Sequence, residues 1–162
     1  MKKNKILIAG GTGFIGYHLA KKCLDLNWLV DSISSKSPIK KRKLSKVKYI
    51  RFDISKKKDL IKNLSHNYDY VVNLAGYVDH SHKEKTMKSH YDGCKNLSKF
   101  FLKKGIKKFI QVGSSIEYGK LKSPQKENIK NLQKTYSVYG KAKLLSTKFL
   151  MKLRKKYNFP AT

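Results

Sequence analysis

The heptapeptide "GGTGFIG" (10–16) constrains this chain more than any other stretch. It follows the apolar run "KILIAG" (5–10) directly and opens a helical pattern. Gly10, Gly13 and Gly16 stand three residues apart. Glycine there permits a tight turn, lets backbone approach a pyrophosphate, and lets the following helix pack closely on the strand. The helix start supplies free N–H groups and the positive end of a dipole for an anion. A strand before and a helix after turn a weak glycine pattern into a specific one.

The rest of the chain repeats that alternation. Apolar runs at 5–10, 28–34, 47–52, 68–76 and 107–114 read as strands. Helical patterns lie near 14–26, 56–65, 86–104 and 139–157, the third with an apolar stripe at Leu97, Phe100, Phe101 and Leu102. Strands alternating with helices predict an α/β fold of the Rossmann type, a doubly wound parallel sheet of about five strands. The segment 34–46 is basic and contains Pro38, which predicts an exposed loop; 119–135 reads as irregular. "KKYNFPAT" (155–162) reads as a helix end, a turn and the start of another strand, leaving 107–114 as an apolar edge.

With 162 residues, one domain over 1–162 is expected. No apolar run approaches the ~20 residues that span a bilayer, so no membrane association is expected. Cys23 and Cys94 are too few for a disulfide framework and read as free thiols in helices, as in a reducing cytoplasm. The formal charge is +28, yet only Arg42, Arg51 and Arg154 among the 38 basic residues are arginine. Lysines scattered along the whole chain disfavour nucleic acid as the main partner, since phosphate and base recognition favours clustered arginine. His80, His82 and His90 with Asp79 lack the defined ligand set of a metal site, and no metal is expected.

"TYSVYGKAK" (135–143) places Tyr139 four residues before Lys143, on one helical face. Tyr17/Lys21, Tyr91/Lys95 and Tyr118/Lys122 share that spacing, so spacing alone assigns nothing. Context does. "GGTGFIG", "FDIS" (52–55), "NLAG" (73–76), "GSSIEYG" (113–119) and "YGKAK" (139–143) occur in the order seen in the extended short-chain dehydrogenase/reductase family. The chain resembles its NAD-dependent epimerase/dehydratase branch, which acts on nucleotide sugars.

The resemblance implies roles. Gly10, Gly13, Phe14, Ile15 and Gly16 would form the dinucleotide loop. Asp53, with Ile54, would meet the adenine, although a short acceptor there also suits a helix cap. Ala75 and Gly76 would lie along the ribose and nicotinamide. Ser114 matches the catalytic serine or threonine, with Ser115 beside it, and Tyr139 and Lys143 match the Tyr-x-x-x-Lys pair. A phenol with a pKa near 10 is a poor base at neutral pH, and a nearby ammonium favours its ionisation. Tyr139 would then exchange the carbinol proton, Ser114 would orient the oxygen, and Lys143 would also hold the nicotinamide ribose.

The cofactor choice between NAD and NADP rests on the end of the second strand. A carboxylate there binds the ribose diol, whereas small and basic residues accept a 2′-phosphate. Ser34, Ser35 and Lys36 lean towards NADP; Asp31 lies early in the strand. The Asp-Glu pair of family dehydratases is replaced by Ser115 and Ile116, with Glu117 one place late. Epimerase or 4-ketosugar reductase is therefore expected over dehydratase. His90 replaces the family's asparagine, and the loop 77–85 is expected to rim a substrate pocket. Family members continue with further strands and a substrate lobe. The chain therefore reads as an N-terminal portion, truncated or completed by another chain or a homodimer. The competing classes are a non-catalytic dinucleotide-binding or interaction module, and a nucleic-acid-binding polycation.

Overall fold

The computed structural model describes residues 2–65, 67–79, 81–120, 122, 124–126 and 135–162. Five parallel strands form one sheet in the order β3-β2-β1-β4-β5. They are β1 (Lys5–Ala9), β2 (Leu29–Ser34), β3 (Val47–Arg51), β4 (Tyr70–Asn73) and β5 (Lys108–Gln111). Helices α1 (Phe14–Asp25), α2 (Lys57–Asn63), α3 (Lys83–Met87), α4 (Gly93–Phe101) and α5 (Val138–Tyr157) join and cover them. This is the expected α/β Rossmann-type sheet. The strand order reverses between β1 and β4, where open α/β sheets bind ligands at the carboxyl ends of their strands.

The central strand explains why both faces must be covered. Ile6 and Ile8 of β1 pack with Ala20, Cys23 and Val30 on one face. Leu7 and Ala9 join Leu60, Leu97, Phe101, Phe109 and Leu150 on the other. A strand buried on both sides reads as a continuous apolar run, as "KILIA" does. Cys23 and Cys94 are free, buried thiols in α1 and α4. Burial raises both, Cys94 to about 12, so neither is a thiolate at neutral pH.

Three expectations need correction. The helix expected over 86–104 begins at Lys83, inside the expected loop 77–85, and passes through a π-turn, Lys88–Asp92, before α4. Its stripe is narrower than expected: Leu97 and Phe101 are buried, while Phe100 and Leu102 are only partly so. The edge of β5 is not left bare. Asn158 ends α5 in the left-handed region (φ 50°) and turns the chain back. Phe109 N–H then donates to Pro160 O and Gln111 N–H to Thr162 O, both at 2.9 Å, so residues 160–162 run parallel beside β5. Part of the 119–135 segment lies outside the described residues, as does His80.

Candidate active site at the switch point

The glycine loop packs directly against the turn after β4. Gly10 adopts φ +83°, and a Cβ there would stand 2.8 Å from both Ala75 N and Leu74 C. A Cβ on Gly16 would drive into the Gly10 carbonyl, so α1 approaches the loop as closely as backbone allows. Gly13 caps α1 without a side chain, and no acidic residue occupies the first turn. The N–H groups of that turn thus face a position suited to an anion. The loop residues fit a dinucleotide. The side chains of Phe14 and Ile15 are exposed, and Phe14 lies 5.5 Å under the Arg42 guanidinium.

A cleft of about 340 Å³ opens beside the loop, between the carboxyl ends of β2, β3 and β4. Ser34, Asp53, Ala75 and Gly76 line it together. Asp53 also serves its local turn, since its Oδ1 accepts from Ser55 N–H at 2.9 Å. Ile54 borders the cleft, but its side chain is buried against Gly93 of α4. Tyr77 and Lys85 rim this same cleft. Asp31 is turned into the core. Its Oδ2 accepts from Tyr68 Oη at 2.6 Å and lies 3.3 Å from Lys5 Nζ. It is not a ribose acceptor.

From the loop, contacts lead to the tyrosine. A Cβ on Gly76 would collide with the His90 imidazole, whose Nε2 lies 3.2 Å from Tyr77 O. His90 is buried and meets the Tyr139 ring edge-on, with centroids 5.0 Å apart. The π-turn that carries His90 is fixed to α5, because Ser146 Oγ donates to His90 O at 3.0 Å.

Lys143 is buried, and its Nζ donates to Val112 O at 2.7 Å while lying 5.7 Å from the Tyr139 ring centroid. Burial pulls its pKa down, and the Glu117 carboxylate opposes the fall. Tyr91/Lys95 has almost the same local geometry, 5.6 Å from ammonium to ring. The Tyr139 pair differs in having a buried cation held by the backbone at Val112, just beyond β5 and two residues before Ser114. Ser114 is half-buried before the short 3₁₀ turn Ser115–Tyr118. Its N–H donates to Glu117 Oε1 at 2.8 Å, so Glu117 braces the backbone there.

Sequence reasoning missed Asn73 and Val112. Buried Asn73 accepts from Ala75 N–H at 3.2 Å and donates to Gln111 Oε1 at 2.7 Å, setting the turn that faces Gly10. Its place at the head of "NLAG" was the available signal. Val112 acts through its carbonyl, which no side-chain pattern announces. Among the described residues no group of three or more His, Cys, Asp or Glu could hold a metal; His82 and Asp79 stand 4.0 Å apart, exposed. No described helix is long and apolar enough to cross a membrane.

A family model described as "NAD dependent epimerase/dehydratase family" matches residues 6–162. An uncharacterised protein of Methanocaldococcus jannaschii is 28% identical over 88% of this chain and 49% of its own length. A UDP-galactose 4-epimerase structure superposes with a TM-score of 0.85 at 20% identity, over 97% of this chain and 54% of that one. The Thermotoga maritima UDP-glucose 4-epimerase with UDP-glucose gives 0.82 at 21%, over 97% and 53%. The Bordetella bronchiseptica enzyme WbmG with NAD and UDP gives 0.80 at 20%, over 99% and 52%. The chain spans about half the length of these relatives.

Proposed function

Because the chain belongs to the NAD-dependent epimerase/dehydratase family, we propose that it binds NAD or NADP and contributes the acid/base group for hydride transfer on a nucleotide sugar, as an epimerase or 4-ketosugar reductase. One observation carries the reading: an unbroken series of contacts runs from Gly10 through Ala75, Gly76 and His90 to Tyr139 and Lys143. It joins the anion-binding loop to a phenol beside a buried cation. A bound nicotinamide supplies the hydride acceptor and donor. Tyr139 exchanges the proton of the carbinol, Lys143 favours its ionised form, and Ser114 orients the reacting oxygen. Asp53 and Ile54 border the adenine, Ala75 and Gly76 the ribose and nicotinamide. At the end of β2, Ser34, Ser35 and Lys36 lean towards NADP.

Glu117, buried and engaged with the backbone of Ser114, is poorly placed as the second group of a dehydration. The test is cofactor binding by calorimetry on the purified chain, together with conversion of a panel of UDP-sugars by the chain supplied with the substrate lobe that its longer family relatives carry. Binding of a dinucleotide and conversion lost in Tyr139→Phe are expected. Failure to bind either dinucleotide, or undiminished conversion by Tyr139→Phe, would overturn the reading.

A further inference from the structure

Dinucleotide binding and acid/base chemistry leave the formal charge of +28 without a role. The topology gathers part of it. All five strands point the same way, so their amino ends share one edge, opposite the cleft. Lys2 and Lys3 precede β1, Lys46 precedes β3, and Lys107 and Lys108 stand at the start of β5. Helix α1 returns to that edge with Lys22 in its last turn. These six lysines are exposed. Asp25 stands there too, while Asp69 is committed to Lys107 Nζ at 3.1 Å and Lys5 N–H at 2.8 Å. Lysines also border the cleft, Lys85 and Lys88 among them, so charge alone selects no face.

An apolar corner selects it. Helix α1 ends at Leu26, and Asn27, in the left-handed region (φ 60°), turns the chain into β2. Asn27 N–H donates to Leu24 O at 2.8 Å and Trp28 N–H to Cys23 O at 3.0 Å, so the turn is fixed. It stacks Trp28 on Tyr70, with ring centroids 4.8 Å apart, and leaves Leu26 55% and Leu29 50% exposed. Leu29 N–H donates to Asn4 O at 2.9 Å, which sets Lys2 and Lys3 beside the leucines. Lys107 reaches the same corner, donating to Asn4 Oδ1 at 3.1 Å.

One exposed leucine is ordinary. Two on an ordered turn, flanking the chain's single tryptophan and bordered by ammonium groups, suit an anionic bilayer. Apolar and aromatic side chains enter its interface while lysines meet its headgroups, and such adsorption needs no spanning helix. Nucleic acid fits this corner less well, because phosphate recognition favours arginine and offers the leucines nothing. We propose that Leu26–Leu29, with Lys2, Lys3, Lys22 and Lys107, docks the protein on an anionic lipid surface and leaves the cleft facing solution.

Sedimentation of the whole chain with vesicles tests it, using equimolar phosphatidylglycerol and phosphatidylcholine against phosphatidylcholine alone. Binding to the anionic vesicles only is expected, with Trp28 fluorescence quenched by acyl-brominated lipid. The double variant Leu26→Ser/Leu29→Ser should weaken binding by about tenfold or more and abolish quenching. Lys2→Ala/Lys3→Ala should weaken it by about tenfold. Ile39→Ser/Val78→Ser, two exposed apolar residues beyond the carboxyl ends of β2 and β4, should leave binding within about twofold. Equal binding to neutral vesicles, or sedimentation with Trp28 unquenched, would overturn the proposal. Equal weakening by the two serine pairs would also overturn it. Retention by duplex DNA at a salt concentration that releases the vesicles would assign the charge to nucleic acid instead. None of these outcomes depends on dinucleotide binding.

Discussion

Lys143 and Val112 are joined by a 2.7 Å hydrogen bond that fixes the first turns of α5 to the backbone just beyond β5. The ammonium is buried, and burial holds its pKa below the ordinary value of 10.5, with Glu117 opposing. A lysine with a lower pKa folded than unfolded binds fewer protons in the native state. Its charged form therefore opposes folding, and that opposition fades as pH rises towards 10.5. The stability of the wild type relative to Lys143→Met should accordingly increase with pH through the window ending there. Urea melts of both proteins at several pH values provide the measurement. A difference independent of pH would show that Lys143 is not desolvated as described.

Tyr139 and Tyr91 form a matched comparison, since each has a lysine one turn on and a similar ring-to-ammonium distance. Tyr139→Phe should lower nucleotide-sugar turnover by about 10²–10⁴ while leaving dinucleotide affinity within about twofold. Tyr91→Phe should leave both unchanged. Equal effects of the two variants would mean that local spacing, not placement beside His90 and Ser114, sets the behaviour.

Gly76 leaves no room for a methyl group beside His90. Gly76→Ala should destabilise the fold by about 1–3 kcal/mol, the usual cost of overpacking, and should shift the ring that meets Tyr139. Adding His90→Ala should remove much of that penalty. A double-mutant cycle by urea denaturation measures the coupling. Additive effects would contradict a direct collision.

Tyr68 donates to Asp31 at 2.6 Å in the interior, and burial together with the Asp31 carboxylate raises its pKa far above 10. Tyr68→Phe should cost about 1.5–3 kcal/mol, the range for hydrogen bonds to charged groups. Because the folded pKa is raised, this stabilisation is full below pH 10 and declines as pH rises through the higher folded value. The variant should lose less stability than the wild type on going above pH 10, as pH-dependent thermal melts would reveal. Parallel alkaline profiles would contradict the shift.

Much of this was legible in the sequence because it is local. Apolar runs marked the strands to within a few residues, and the spacing of Gly10, Gly13 and Gly16 marked the loop. The misses share a physical cause, dependence on groups distant in sequence. Asp31 could be seen to lie early in β2, but its partner Tyr68 stands 37 residues away. His90 looked like a replaced asparagine; its contacts with Gly76 and Tyr139 come from three separate elements.

The π-turn at Lys88–Asp92 has a geometric consequence. A helix advances about 100° per residue, so the wider π-turn resets the angular phase between α3 and α4. Lys85, Lys88 and Ser89 can therefore border the cleft, while Leu97 and Phe101 fall on the core face a few turns later. A helix of constant phase would have to compromise between those two directions. The slip lets one nearly continuous rod present a cleft-facing surface at one end and a packing surface at the other, with His90 at the joint.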